Sequence, residues 1–342
     1  MILHYKCQGC GNDMSFDAAT GKLSCQSCGR QENIENHPER LVTATFDDNE
    51  VKEYHCNNCG AGIITETHTA ATSCSFCGAG VVLADRLSGN LAPVKVIPFT
   101  ISREEATEAF QKWCRKGRLT PKGFMSADRI KSITGLYVPF WLYDLNSRAQ
   151  VNAVGTKVRT YTQGDYIYTE TSYYDAYRDI NLDYVKVPID ASEKMNDHLM
   201  DKLEPYEYGE LKEFKTPYLA GYIAEKYNYT DEELLPRAKD KINGYIDAYI
   251  SQTLGGYRTV TYKDKQIDTS KVKCDYVLLP VWMVSYDFEQ KEHVFAMNGQ
   301  TGKIIGKPPI SKSKAFMWFG GIAGGTFLAM KSISFLVGGG FW

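Results

Sequence analysis

The sequence predicts an α+β protein: two small N-terminal cysteine ribbons (1–38 and 50–86), a mixed α+β domain rich in Tyr and Trp (91–310), and a C-terminal transmembrane helix (315–342). Three observations carry this. Eight of the ten cysteines fall within the first 77 positions in a repeated spacing. The middle of the chain alternates apolar and polar residues on either side of helical stretches. From Ala315 to Trp342 there is one charged residue, Lys331.

Cys7, Cys10, Cys25 and Cys28 are spaced C-x2-C-x14-C-x2-C, and Cys56, Cys59, Cys74 and Cys77 repeat that spacing unchanged. Gly11, Gly29, Gly60 and Gly78 each follow a pair, as a tight knuckle turn with positive φ requires. Two such knuckles joined by a hairpin place four sulfurs tetrahedrally, so the expectation is two zinc ions, one per ribbon. A disulfide framework needs an oxidising compartment, and the N-terminus has no apolar signal stretch. A redox CxxC normally comes as one pair rather than four. His55 and His68 read as ordinary hairpin residues beside a saturated second quartet.

Residues 1–90 hold six Lys and Arg against eleven Asp and Glu. Nucleic-acid affinity comes largely from cations displacing counterions at phosphates, so an acidic ribbon region disfavours that role. It stands as the alternative, behind a protein-binding one.

In the middle, Val94 to Phe99 reads as a strand, and Ser102 with Glu105 as the cap of a helix presenting Ala106, Ala109, Phe110 and Trp113. Tyr137-Val138-Pro139-Phe140-Trp141 is partly echoed by Leu279-Pro280-Val281-Trp282-Met283, each running into a longer strand. Proline in either is expected at a strand start or an edge. Residues 150–187 alternate around a turn at Thr162–Asp165, and Asn298-Gly299 marks another hairpin. Helices are expected at 192–203, 217–227 and 231–253. There is no phosphate loop, GxSxG or HExxH, and no paired acid and base, so no catalytic residue and no organic cofactor are expected.

The tail is long enough, at about 1.5 Å per helical residue, to cross a hydrocarbon core of about 30 Å. Gly320, Gly321, Gly324 and Gly325 offer a small-residue face for a second transmembrane helix. Lys303, Lys307, Lys312 and Lys314 upstream place the preceding domains in the cytoplasm by the positive-inside rule. The expectation is a single-pass protein of the cell membrane in contact with the lipid bilayer.

In this order of parts the chain resembles a bacterial family of membrane proteins with TFIIB-type zinc ribbons, a Tyr/Trp-rich domain and a hydrophobic C-terminus. The resemblance rests on the paired cysteine quartets, the Tyr137–Trp141 segment, Leu203-Glu204-Pro205-Tyr206, Tyr218-Leu219-Ala220-Gly221-Tyr222 and Asn298-Gly299-Gln300-Thr301-Gly302-Lys303. Members are encoded beside an SPFH-domain protein and a phage-shock-protein-A homologue. It implies a non-enzymatic, membrane-anchored adaptor that recruits those proteins, alongside a second membrane protein, in envelope stress.

Overall fold

The computed structural model describes residues 2–3, 5–37, 53–55, 62–64, 69–73, 80–83, 93–117, 119–121, 124, 130–288 and 291–336. In chain order its strands begin with β1 (Ile2–Leu3), β2 (Met14–Asp17), β3 (Lys22–Cys25) and β4 (Gln31–Glu32). Then come β5 (Glu53–His55), β6 (Gly62–Ile64), β7 (Thr69–Ser73), β8 (Gly80–Leu83) and β9 (Lys95–Val96). Helix α1 (Arg103–Lys116) leads into two long strands, β10 (Ile130–Gln163) and β11 (Tyr166–Asp190). They are followed by α2 (Asp197–Leu203), β12 (Lys212–Glu213), β13 (Ile223–Glu225) and α3 (Asp231–Thr253). Last are β14 (Thr259–Phe288), β15 (Lys291–Asn298), β16 (Ile304–Ile305) and α4 (Lys312–Leu336). The architecture is α+β with four α-helices among the described residues.

One sheet organises the fold. Its path runs β1-β8-β7-β13-β10-β14-β15-β16, with β11 on β10, β9 on β14 and β12 on β9. β1, which precedes the first cysteine quartet, pairs with β8, which follows the second. β7 continues into the main sheet through β13, so pairing crosses the expected limit between ribbon and α+β domain.

The two echoed segments are partners: Tyr137 lies opposite Pro280, and Pro139 opposite Leu278. Both prolines sit inside the sheet rather than at an edge, and both fall where the neighbouring strand changes. β10 pairs in parallel with β13 at Leu136–Tyr137, then with β11 from Phe140 onward. β14 pairs in parallel with β9 at Val277–Leu278, then with β15 from Val281 onward. A residue without an N–H fits the gap between two partners, where no ladder bond is lost. The carbonyls are still used, Pro139 accepting from Ala191 N–H and Pro280 from Gly299 N–H, each at 2.9 Å.

Three apolar clusters hold the layers. Phe99, Phe110, Tyr137, Trp282 and Phe295 pack under α1 and the first ribbon. Val138, Phe140, Leu279, Met200 and Leu203 fill the opposite face under α2. Ala238, Ile242, Ile246 and Ile250, one stripe of α3, cover Leu145, Ala149 and Val151 of β10. α3 spans the residues the sequence predicts, with a full capping box between Thr230 and Glu233, although Pro236 falls in its second turn. The helix expected at 217–227 is instead a 3-10 turn at Thr216–Leu219 followed by β13. Gly221, with φ 89°, breaks the helical path, and Ile223 and Ala224 pair with β10.

The C-terminal expectation is overturned. Among the described residues, no helix is long and apolar enough to cross a membrane. α4 is long, but four glycines, Thr326, Lys331 and Ser332 dilute its apolar residues. Lys314, read as a membrane-flanking charge, donates to the Thr120 carbonyl at 2.7 Å and fixes the start of α4 to the domain. A Cβ added at Gly320, Gly321, Gly324 or Gly325 would meet open space, so no other described part of this chain packs on that face. The transmembrane anchor, the single-pass placement at the cell membrane and the membrane-anchored adaptor role therefore fall together.

Candidate metal centre

The first ribbon is the sheet β2-β3-β4. Its two knuckles are built alike. In one, Cys7 N–H donates to Asn12 and Gly11 N–H to Cys7 at 2.8 Å; in the other, Cys25 N–H donates to Arg30 and Gly29 N–H to Cys25 at 2.9 Å. Gly11 and Gly29 have φ of 75° and 74°, the left-handed conformation that closes each turn without a Cβ penalty.

The knuckles face each other. Cys7 Sγ lies 3.5 Å from Cys28 Sγ, and Cys10 Sγ 3.5 Å from Cys25 Sγ. All four sulfurs lie within 4.8 Å of one another. Sulfurs about 2.3 Å from a tetrahedral zinc would stand about 3.8 Å apart, so the cluster fits one such ion. Cys7 and Cys25 are buried while Cys10 and Cys28 are exposed, giving the site one closed and one open side.

The electrostatics suit a cation. The backbone N–H groups of Cys10 and Gly9 hold the Cys7 thiol below its usual range. Cys28 and Ser27 N–H groups, working against burial, bring Cys25 down to about 7. Cys28 is pushed up to about 12: the Arg30 N–H pulls it down, but the three neighbouring cysteines outweigh that pull. The cluster accommodates some thiolates and resists the last, and a divalent ion removes that resistance.

A polar layer unnoticed in the sequence supports the second knuckle. The carboxylate of buried Glu32 lies 3.1 Å from Arg30 Nε and 3.1 Å from His37 Nε2. Arg30 also reaches Gln8 Oε1 at 3.4 Å, tying the two knuckles together. The only hint in the chain is an arginine and an acid following Gly29 at alternate positions.

The ribbon is fixed to the main domain. Phe16 packs edge-on against Tyr218 at 5.4 Å between ring centroids. Tyr5 Oη and Thr216 Oγ1 are 2.6 Å apart. Cys7, Phe16, Leu23, Cys25 and Ile34 belong to the same buried cluster as Phe99 and Trp282.

Cys56, Cys59, Cys74 and Cys77 lie outside the described residues, as does His68. Around them, β5 pairs antiparallel with β6 and β7 with β8. The described residues thus hold one four-cysteine cluster suited to a single metal ion.

Sheet and cluster define the class: an α+β protein with a cysteine-knuckle pair, capable of holding one metal ion, set into its core. The chain belongs to the family of the uncharacterized protein YdjG of Bacillus subtilis (strain 168), to which it is 67% identical over 341 residues, covering all of both proteins. The membrane character attached to the sequence resemblance does not follow it into this structure. No protein-family model matches the sequence, and no solved structure matches the fold.

Proposed function

We propose that the chain is a non-enzymatic protein-interaction scaffold whose ribbons are knit by two structural zinc ions. One is held by Cys7, Cys10, Cys25 and Cys28, the other by Cys56, Cys59, Cys74 and Cys77. The carrying observation is the shared core: Cys7 and Cys25 are buried in the same apolar cluster as the main sheet. Metal there fixes a surface in place rather than activating a substrate, since four sulfur ligands leave zinc no open position for water. The second ion rests on the unchanged repeat of spacing in the sequence.

The chemistry elsewhere supports a non-catalytic reading. Burial pushes the thiols of Cys114 and Cys274 up to about 11 and about 12, which makes them poor nucleophiles. The buried Asp190 is spent on Arg237 at 3.0 Å. The exposed side chains of Phe316, Met317, Phe319, Leu328 and Met330 on α4 offer an apolar surface for a protein partner. Following the resemblance, the proposed partner is an SPFH-domain protein.

The experiment is metal analysis and affinity capture on the purified full chain. Two zinc ions per chain are expected, one after Cys7→Ser with Cys10→Ser, together with loss of SPFH-domain protein capture by that variant. Capture unchanged in a chain lacking the first ion would sink the scaffold reading, and a single ion in the unaltered chain would sink the second site.

A further inference from the structure

Along their outer halves, β11, β10 and β14 form a three-stranded sheet with two long edges, and the two edges are built differently. β14 carries Lys263, Lys265, Lys271 and Lys273, and its register with β10 shifts at Asp144/Leu145 and at Asn152/Ala153. Lysines and bulges are the usual devices that keep an edge from pairing with another chain. β11 from Tyr166 to Tyr184 has neither lysine nor proline, and its register with β10 is unbroken from Leu145↔Tyr184 to Gln163↔Tyr166. Among the described residues no strand lies on its outer side.

The hairpin fixes which groups that edge presents. Gly164, with φ 63°, and Asp165 form a two-residue loop closed by Gln163 and Tyr166. Tyr166 and every second residue after it bond to β10, so Ile167, Thr169, Thr171, Tyr173, Asp175 and Tyr177 turn their N–H and C=O outward.

We propose that β11 pairs antiparallel with β11 of a second copy of this chain about a two-fold axis at Tyr174, joining the two sheets edge to edge. The strand is self-complementary in that register. Glu170 faces Arg178 of the second copy, Tyr168 faces Ile180, and Tyr166 faces Leu182, all on one side of the sheet. Centring on Asp175 or Arg178 would instead oppose like charges. Arg178 donates to the carbonyls of Tyr177 and Thr253 at 2.8 and 2.9 Å. That leaves three of its five N–H groups for a carboxylate. A two-fold contact of this kind uses the same patch twice and closes at a dimer.

The test uses the full chain. Sedimentation velocity at about 50 µM is expected to give twice the chain mass. Thr171→Pro removes an outward N–H and no bond to β10, so circular dichroism should be unchanged while the dimer weakens about 100-fold. Facing Tyr174 residues would have Cα atoms about 4.5 Å apart, within disulfide reach. Mild oxidation of Tyr174→Cys should therefore give an interchain disulfide absent from both the unaltered chain and Tyr168→Cys. A monomer at that concentration, a dimer indifferent to a folded Thr171→Pro, or no disulfide at position 174 would each overturn the proposal. Capture of another protein's strand on a monomeric chain would overturn it too.

Discussion

The backbone N–H of Phe16 donates to the carbonyl of Ala220 at 2.8 Å, a bond between residues more than two hundred positions apart. It stitches the hairpin of the first cysteine quartet to the segment just before β13, and β13 in turn pairs with β10. Order at the quartet and order in the main sheet are therefore coupled through a few residues.

The first prediction concerns that coupling. Cys25→Ser should loosen more than the ribbon: hydrogen exchange should rise about tenfold at residues 216–222 as well as at 14–25. Thermal unfolding should fall by about 5 °C. Unchanged protection at 216–222 would show that the ribbon is only resting on the domain.

The second concerns Asp190, which is 1% exposed. Burial pushes its carboxyl up to about 6, while the Arg237 guanidinium pulls the other way. A folded-state acid above its free value of 3.8 binds its proton more tightly than the unfolded chain does. Its stabilising contribution is thus fullest below about pH 4 and is lost as pH rises through 4 to 6, up to roughly 3 kcal/mol. Urea unfolding of the unaltered chain against Asp190→Asn should show the native advantage shrinking between pH 4 and pH 7. A pH-independent difference would refute the shift.

Arg237 itself binds Asp190 and Asp197 at 3.0 and 3.1 Å and Asp201 at 3.4 Å, drawing β11, α2 and α3 together. Arg237→Ala leaves a buried carboxylate facing two more acids and should destabilise by about 3 kcal/mol at pH 7. A loss below about 1 kcal/mol, read by urea midpoint, would mean that the three acids find other partners.

The fourth concerns Gly155. A Cβ there would lie 2.3 Å from the ring of Tyr257. Gly155→Ala should therefore cost about 1–3 kcal/mol. Adding Tyr257→Ala should recover most of that loss, a coupling that a double-mutant cycle reads directly. Equal costs in both backgrounds would place the strain elsewhere.

Thiol labelling supplies the fifth. Cys114 and Cys274, pushed up to about 11 and about 12 by burial, should resist alkylation at pH 7.5 in the folded chain and label fully in denaturant. Mass spectrometry of the labelled peptides distinguishes them from the cysteine quartets.

Local rules recovered the elements they govern. The knuckle spacing brought Cys7, Cys10, Cys25 and Cys28 together, the Ser102–Glu105 box marked where α1 begins, and the range expected for α3 matched its observed span. What the sequence could not show is which partner each strand takes. Pro139 and Pro280 look like strand breakers until the exchange of neighbours around them is known. The apolar pattern around Tyr218 and Tyr222 looks helical until β10 claims Ile223 and Ala224. The tail misled because a count of charges ignores what glycine, threonine and serine do to the hydropathy of a helix. The cluster of Arg30 and His37 around buried Glu32 arises from a turn that returns His37 to the knuckle, which no spacing rule encodes.

The long register between β10 and β14 also sets a timetable. Each pair, from Ile130 with Tyr286 to Thr156 with Thr259, joins residues more than a hundred positions apart. At about 5–20 residues per second of synthesis, β10 and β11 can close their own hairpin and must then wait roughly 5–20 s for β14 to emerge. Through that interval β10 has a bare flank of its own beside the unguarded outer strand, and the nascent chain is at its most adhesive.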